Sequence, residues 1–138
     1  SMRSYLSTDI YNALPADLQS AIIDTRVVSG HGSSDRDNFI STDKLYLLDA
    51  REVYGSSFSS YNTSKDSERQ LDYYSAQGVT TSNYSGAIKQ RNGSNYWWWL
   101  RAAFSRNNYS FYGVTNGGGW EGSNASYAGG VSPAFRIA

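Results

Sequence analysis

The chain predicts an α+β fold. Three observations carry this: apolar residues at helical spacing near the start, compact aromatic and aliphatic runs later, and long polar excursions between them. At 138 residues it fits one domain, spanning 1–138, that can bury a real core.

The elements follow in order. Ile10, Leu14, Leu18 and Ile22 recur every four residues, which is one face of a helix. Pro15 interrupts that face; it suits a first turn, with Asp17 near the positive end of the helix dipole. The spacing therefore predicts a short helix around 8–13 and a better one over 15–25. Val27 to Asp43 reads as polar connection, with a strand over 25–29. Lys44 to Leu48 reads as a compact buried strand, and Ala50 to Tyr54 as at most one helical turn, closed by Gly55. Ser56 to Lys65 is a loop. Ser67 to Gln77 has helical spacing through Leu71 and Tyr74, and Gly78 is placed to end it. Val79 to Asn95 is a second long polar connection, and loops of this length tend to be functional.

The last third, residues 96–138, is the stretch the rest supports. It opens with Tyr96-Trp97-Trp98-Trp99-Leu100-Arg101, which holds three of the four tryptophans. Trp98 and Leu100 alternate with Trp97, Trp99 and Arg101, so in a strand one set faces the core and the other a loop or second layer. Arg101, if half-buried, needs a partner, and Asp49 and Glu52 are candidates. Ser105 to Gly130 is rich in Tyr, Ser, Gly and Asn, the residues that binding loops favour. Composition alone leaves two readings open, a contact surface and a glycine-rich meander whose tyrosines merely pack. Val131 to Ile137 closes as a short apolar strand.

Composition narrows the function classes. Twelve basic residues balance twelve acidic ones, so no net field draws the chain to nucleic acid or anionic membrane. No cysteine is present, which removes disulfides, thiolate metal sites and thiol nucleophiles together. No apolar run approaches the roughly 20 residues of a membrane helix, so no membrane insertion is expected. Ser1-Met2 reads as a tag-cleavage scar, which leaves any export signal open.

Each chemical motif has a plainer account. Gly117-Gly118-Gly119-Trp120-Glu121-Gly122 matches G-x-G-x-x-G in form, but no helix follows it, and a glycine hairpin turn explains it better. His31 is the single histidine and lies in Ser29-Gly30-His31-Gly32-Ser33, a loop without an apolar frame. Asp35, Asp37 and Asn38 offer hard oxygens without the spacing of an EF-hand. Five N-x-[ST] sequons, at Asn62, Asn83, Asn92, Asn108 and Asn124, arise readily in an Asn/Ser-rich chain. Neither cofactor nor metal is expected. Base, nucleophile and orienter do not come together in any motif, so an enzyme ranks behind the other readings.

The order of segments resembles a known family. Leu14-Pro15-Ala16-Asp17-Leu18, Asp43-Lys44-Leu45-Tyr46-Leu47-Leu48 with Glu52-Val53-Tyr54-Gly55, Trp98-Trp99-Leu100-Arg101, and Gly130-Val131-Ser132-Pro133-Ala134-Phe135 resemble a bacterial and phage family of unknown function. That family is similar to the C-type-lectin-like fold of formylglycine-generating enzymes and of variable proteins from diversity-generating retroelements. The resemblance implies two main helices flanking a small, mostly antiparallel sheet with long loops. The cysteines of formylglycine-generating enzymes and the calcium-site motifs of C-type lectins are absent here, so neither activity carries over. In the retroelement proteins AAC codons scatter to a limited residue set, and between Phe104 and Gly130 only Trp120 and Glu121 lie outside it.

The resemblance implies a diversified ligand-binding domain, a monomer displayed on a cell surface or phage particle, binding a protein or glycan. The alternative is a structural module of a larger surface or phage-tail protein. The resemblance also points Tyr112 and Val114 inward on a strand, and alternation then sends Phe111, Gly113 and Thr115 outward. After the turn, Trp120, Ser123, Asn124 and Tyr127 join them, with Arg106, Asn107 and Tyr109, in one expected ligand-binding patch.

Overall fold

A computed structural model describes residues 1–58 and 69–138. Most of the loop expected over 56–65, the start of the helix expected over 67–77 and the sequon at Asn62 lie outside the described residues.

Helix α1 (Met2–Tyr5), a π turn (Leu6–Ile10) and α2 (Tyr11–Ala13) run on as one helical segment. It stops at Leu14, whose ψ is 152°, because the Pro15 ring disfavours α backbone at the residue before it. The next helix, α3 (Ala16–Ala21), has Pro15 at its N-cap. The helix expected over 15–25 is cut short, since Ile22 swings to extended backbone and opens β1 (Ile22–Ile23). Tertiary pairing wins over helical spacing here: Ile22 and Ile23 lie opposite Ile137 and Arg136.

Strand β2 (Thr25–Ser29) forms where expected and pairs antiparallel with β3 (Phe39–Asp43). The latter corrects the reading of 27–43 as connection only. Phe39 and Ile40 suit a pleated surface, and β2 satisfies their backbone. β4 (Tyr46–Leu47) is the centre of the strand expected over 44–48, with Leu45, Leu47 and Leu48 buried. α4 (Ala50–Tyr54) is held by a capping box. The Asp49 carboxylate accepts from the Arg51 amide at 3.0 Å and the Glu52 carboxylate from the Asp49 amide at 3.0 Å. Gly55, at φ 67°, ends it. α5 (Asp72–Ala76) is shorter than its apolar spacing suggests.

The stretch expected to be irregular between Val79 and Asn95 holds a hairpin, β5 (Lys89–Arg91) with β6 (Ser94–Tyr96). Its turn is Asn92-Gly93, with φ of 52° and 80°, the two-residue geometry that matches strand twist. β7 (Trp98–Ala103), β8 (Ser110–Val114) and β9 (Trp120–Asn124) then form the one three-stranded sheet among the described residues, antiparallel throughout. β10 (Pro133–Ala134) pairs with β4, and β11 (Arg136–Ile137) with β1. The fold is mixed α+β, with several small antiparallel sheets. Among the described residues its helix lies in short segments, so the two-helix expectation holds only loosely.

Two apolar clusters lie on opposite faces of β7. Trp98, Leu100 and Ala102 enter the first, with Val53, Tyr54, Phe58 and Tyr112. Trp99 enters the second, with Leu6, Ile22, Leu45 and Leu47, where Ile10, Leu14 and Leu18 pack as the four-residue spacing requires. Arg101 shares the Trp99 face. Its guanidinium donates to the carbonyls of Val28 (2.9 Å) and Leu47 (3.0 Å) and to the Glu52 carboxylate. Of its two candidate partners Glu52 makes the ion pair, while Asp49 caps α4. No helix among the described residues is long and apolar enough to cross a membrane.

Candidate ligand-binding surface

The β8–β9 hairpin has one committed face. Tyr112 and Val114 are fully buried in the first cluster. The turn between the strands closes through Thr115 N–H to Gly119 C=O (2.7 Å) and Gly118 N–H to Thr115 C=O (3.0 Å), a glycine hairpin turn in place of a nucleotide loop. Gly118 sits at φ 94°, and a Cβ there would come within 2.1 Å of the Tyr84 carbonyl oxygen. Tyr54 anchors the turn from below, its hydroxyl donating to Gly118 C=O at 2.6 Å. Burial, with smaller contributions from Tyr74 and Tyr84, pushes that phenol well above its ordinary range.

Beside the hairpin lies an open depression of about 830 Å³, lined by Asn107, Tyr109, Ser123, Asn124 and Tyr127 together with Trp97, Glu121 and Ser126. Tyr109 and Tyr127 are 58% and 62% exposed. Their backbones are pinned. Asn107 Oδ1 accepts from the Tyr109 amide (3.1 Å), and Asn124 Oδ1 accepts from the Ser126 amide (3.0 Å), each an Asx turn. Tyr109 C=O accepts from Ala125 N–H at 2.8 Å and Asn124 C=O from Tyr127 N–H at 3.0 Å, so the two tyrosine-bearing segments are tied together. The arrangement presents two aromatic rings and several amide and hydroxyl groups on a fixed frame.

Five of the ten expected residues therefore share this depression, and five lie elsewhere. Trp120 packs edge-on against Phe58 (5.3 Å) and Tyr112 (5.8 Å) beside the first cluster. Phe111 does face outward, at 40% exposure, but onto a different cleft of about 640 Å³ that Phe39, Leu45 and Trp99 also line. Gly113 is buried, with the Trp97 ring over it. Thr115 is taken up in the hairpin turn, and Arg106 is exposed outside the lining of the depression. The rest of the lining, which includes Trp97, Glu121 and Ser126, was not among the residues expected. For Ser126 the signal was present in Asn124-Ala125-Ser126, which is an Asx-turn sequence as much as a sequon.

The residues weighed for other chemistry lie apart. His31 Nδ1 faces its own neighbour, Gly32 C=O, at 2.9 Å. Among the described residues no three His, Asp or Glu side chains converge as a metal site would require. Two further glycines set limits on the surface: a Cβ at Gly122 would meet the Phe104 ring at 2.5 Å, and one at Gly129 the Trp97 ring at 2.5 Å.

No curated protein and no solved structure matches the chain. A family model matches along its whole length. The chain belongs to the family described as Domain of unknown function (DUF6273), matched over residues 1–138.

Proposed function

We propose that this chain is a non-catalytic ligand-binding domain of C-type-lectin-like fold. In this reading it displays a sequence-variable surface, as target proteins of diversity-generating retroelements do, toward a protein or glycan on a cell or phage surface. One observation carries the reading. Tyr109 and Tyr127 stand exposed over a shared depression, on backbone fixed by Asx turns, beside a hairpin whose other face is core. Rigid aromatics with adaptable polar neighbours are what contact surfaces use. The antiparallel sheets and long connections support the fold assignment.

The test is genetic first. A reverse-transcriptase gene beside this one, with a near-copy of the coding sequence for Trp97 to Ala138 differing at adenines, is the expected finding. If neither is present, the diversified reading fails. A second reading has its own support: Phe39 and Phe111 are exposed on the lining of an apolar cleft, as suits a module packed on a neighbouring domain. Loss of particle or surface assembly in Phe39→Ser, with binding by the tyrosine rim intact, would favour that module.

A further inference from the structure

A second depression, of about 480 Å³, lies against the β5–β6 hairpin and shares only the Trp97 wall with the first. Lys89 and Arg91 both line it. They are alternate residues of β5, so their side chains leave the same face of the strand. The Lys89 ammonium lies over the Trp98 ring at 5.0 Å and the Arg91 guanidinium over the Tyr96 ring at 5.3 Å. Those rings hold the cations in place without neutralising them. The lining contains no Asp or Glu. Among the described residues neither cation has a carboxylate within 4.0 Å.

In a chain of balanced charge, two adjacent uncompensated cations are a local excess. Burial also drives the Lys89 ammonium below its ordinary pKa, since it is drawn from water with nothing opposite. A partly buried cation without an anion weakens the fold unless something supplies one. The rest of the lining suits a small polyhydroxylated ring: Tyr5 and Trp97 offer ring surface, and Gln90 and Ser132 offer hydrogen-bonding groups. A volume of this size is that of a small-molecule site. A phosphate site would add converging backbone amides, but here the Gly130 amide is already bonded to Trp97 C=O at 2.9 Å.

The geometry points to this depression as a site for an acidic sugar residue, its carboxylate taken by Lys89 and Arg91 and its ring set against Tyr5 and Trp97. The inference stands on different residues from the tyrosine rim and does not rest on that surface being diversified.

The test is a titration of the full chain, followed by amide NMR, with sodium glucuronate, glucose and inorganic phosphate as separate probes. Glucuronate is expected to shift the amides of residues 89–91 and 129–132, and glucose to leave them in place. Phosphate is expected to bind at least tenfold more weakly than glucuronate. Lys89→Gln and Arg91→Gln are each expected to weaken glucuronate at least tenfold with Tm not lowered; should Lys89→Gln fail to fold, Arg91→Gln decides. Tyr109→Ala and Tyr127→Ala are expected to leave glucuronate binding as it was, so failure of either surface is read separately. No shift with glucuronate, equal shifts with glucose, phosphate binding as tight as glucuronate, or unchanged affinity in Arg91→Gln would each overturn the assignment.

Discussion

Trp98 and Tyr109 are both large aromatics of the C-terminal third, yet the fold uses them in opposite ways. Trp98 is 2% exposed, inside the first cluster, and its indole N–H donates to Ala87 C=O at 3.1 Å. Tyr109 is held at its backbone and left free at its ring. The difference extends to their segments: β7 has an apolar cluster on each face, whereas Tyr109 and Tyr127 turn their rings to solvent. In the proposed reading stability and contact fall to neighbouring stretches of chain, so that a side chain in one can change without loosening the other.

The comparison can be broken most directly at Trp98. Trp98→Ala should cost roughly 3–5 kcal/mol in denaturant unfolding, because it opens a cavity in the first cluster. If Tyr109→Ala costs as much, the division of labour is wrong. Next is the ion pair under β7. Glu52→Ala takes the carboxylate away from the Arg101 guanidinium, whose side chain is 9% exposed, and opens the α4 capping box, and should cost about 3 kcal/mol. In a cycle with Arg101→Met, coupling of the two changes is the expected result, and simple additivity would exclude the pair as a unit.

Gly122→Ala tests where the surface becomes scaffold. It drives a methyl group toward the Phe104 ring and should lower stability by about 1–3 kcal/mol. In natural variants of this chain, Gly118, Gly122 and Gly129 should therefore stay fixed while positions 109 and 127 change; sequencing of related loci checks this.

The alkaline limb comes next. Burial, then the charges of Tyr73 and Glu52, pushes the Tyr74 phenol up to about 12, and burial raises Tyr54 as well. A raised phenol stays neutral in the fold, while the unfolded chain releases its proton near the ordinary 10.0. Stability is therefore whole below that value and falls as pH rises above it. Tyr54→Phe should flatten this fall while costing about 1 kcal/mol at neutral pH for the lost bond to Gly118; a slope equal to that of the parent chain would count against it. The smallest stability effect belongs to the rim. Tyr109→Ala and Tyr127→Ala should move unfolding by less than about 0.5 kcal/mol, yet weaken ligand binding tenfold or more, about 1.4 kcal/mol.

Much of the scaffold was legible because its causes are local. Pro15 stops a helix through its own ring, Gly55 ends one by positive φ, and alternation along the tryptophan run places Trp98 and Trp99 on opposite faces. The Asn92-Gly93 hairpin was equally local, and its two-residue turn stood in plain view within a stretch read as connection. What stayed hidden depends on distant partners. Ile22 leaves its helix for Ile137, β3 exists because β2 lies beside it, and Trp120 turns inward to meet Phe58. Phe111 departs from Tyr109 for a related reason. The loop joining β7 to β8 returns on Phe104, whose amide donates to Ser110 C=O at 2.9 Å, and the β7–β8 register shifts before Ala103. Alternation along β8 alone could not carry a face across that irregularity.

The last short strands have a consequence for how the molecule is made. Gly130 bridges to Trp98, Pro133 and Ala134 pair with Leu47 and Tyr46, and Arg136 and Ile137 pair with Ile23 and Ile22. Three places far apart in the chain are joined by its final few residues, so the earlier parts wait for them. On a ribosome, a nascent chain that has reached Trp98 holds most of its apolar side chains but not the strands that close over them. Productive folding should therefore begin only after residues 130–137 have cleared the exit tunnel. It should be slow for a chain of this size, because closing loops of such span costs entropy before any contact offsets it.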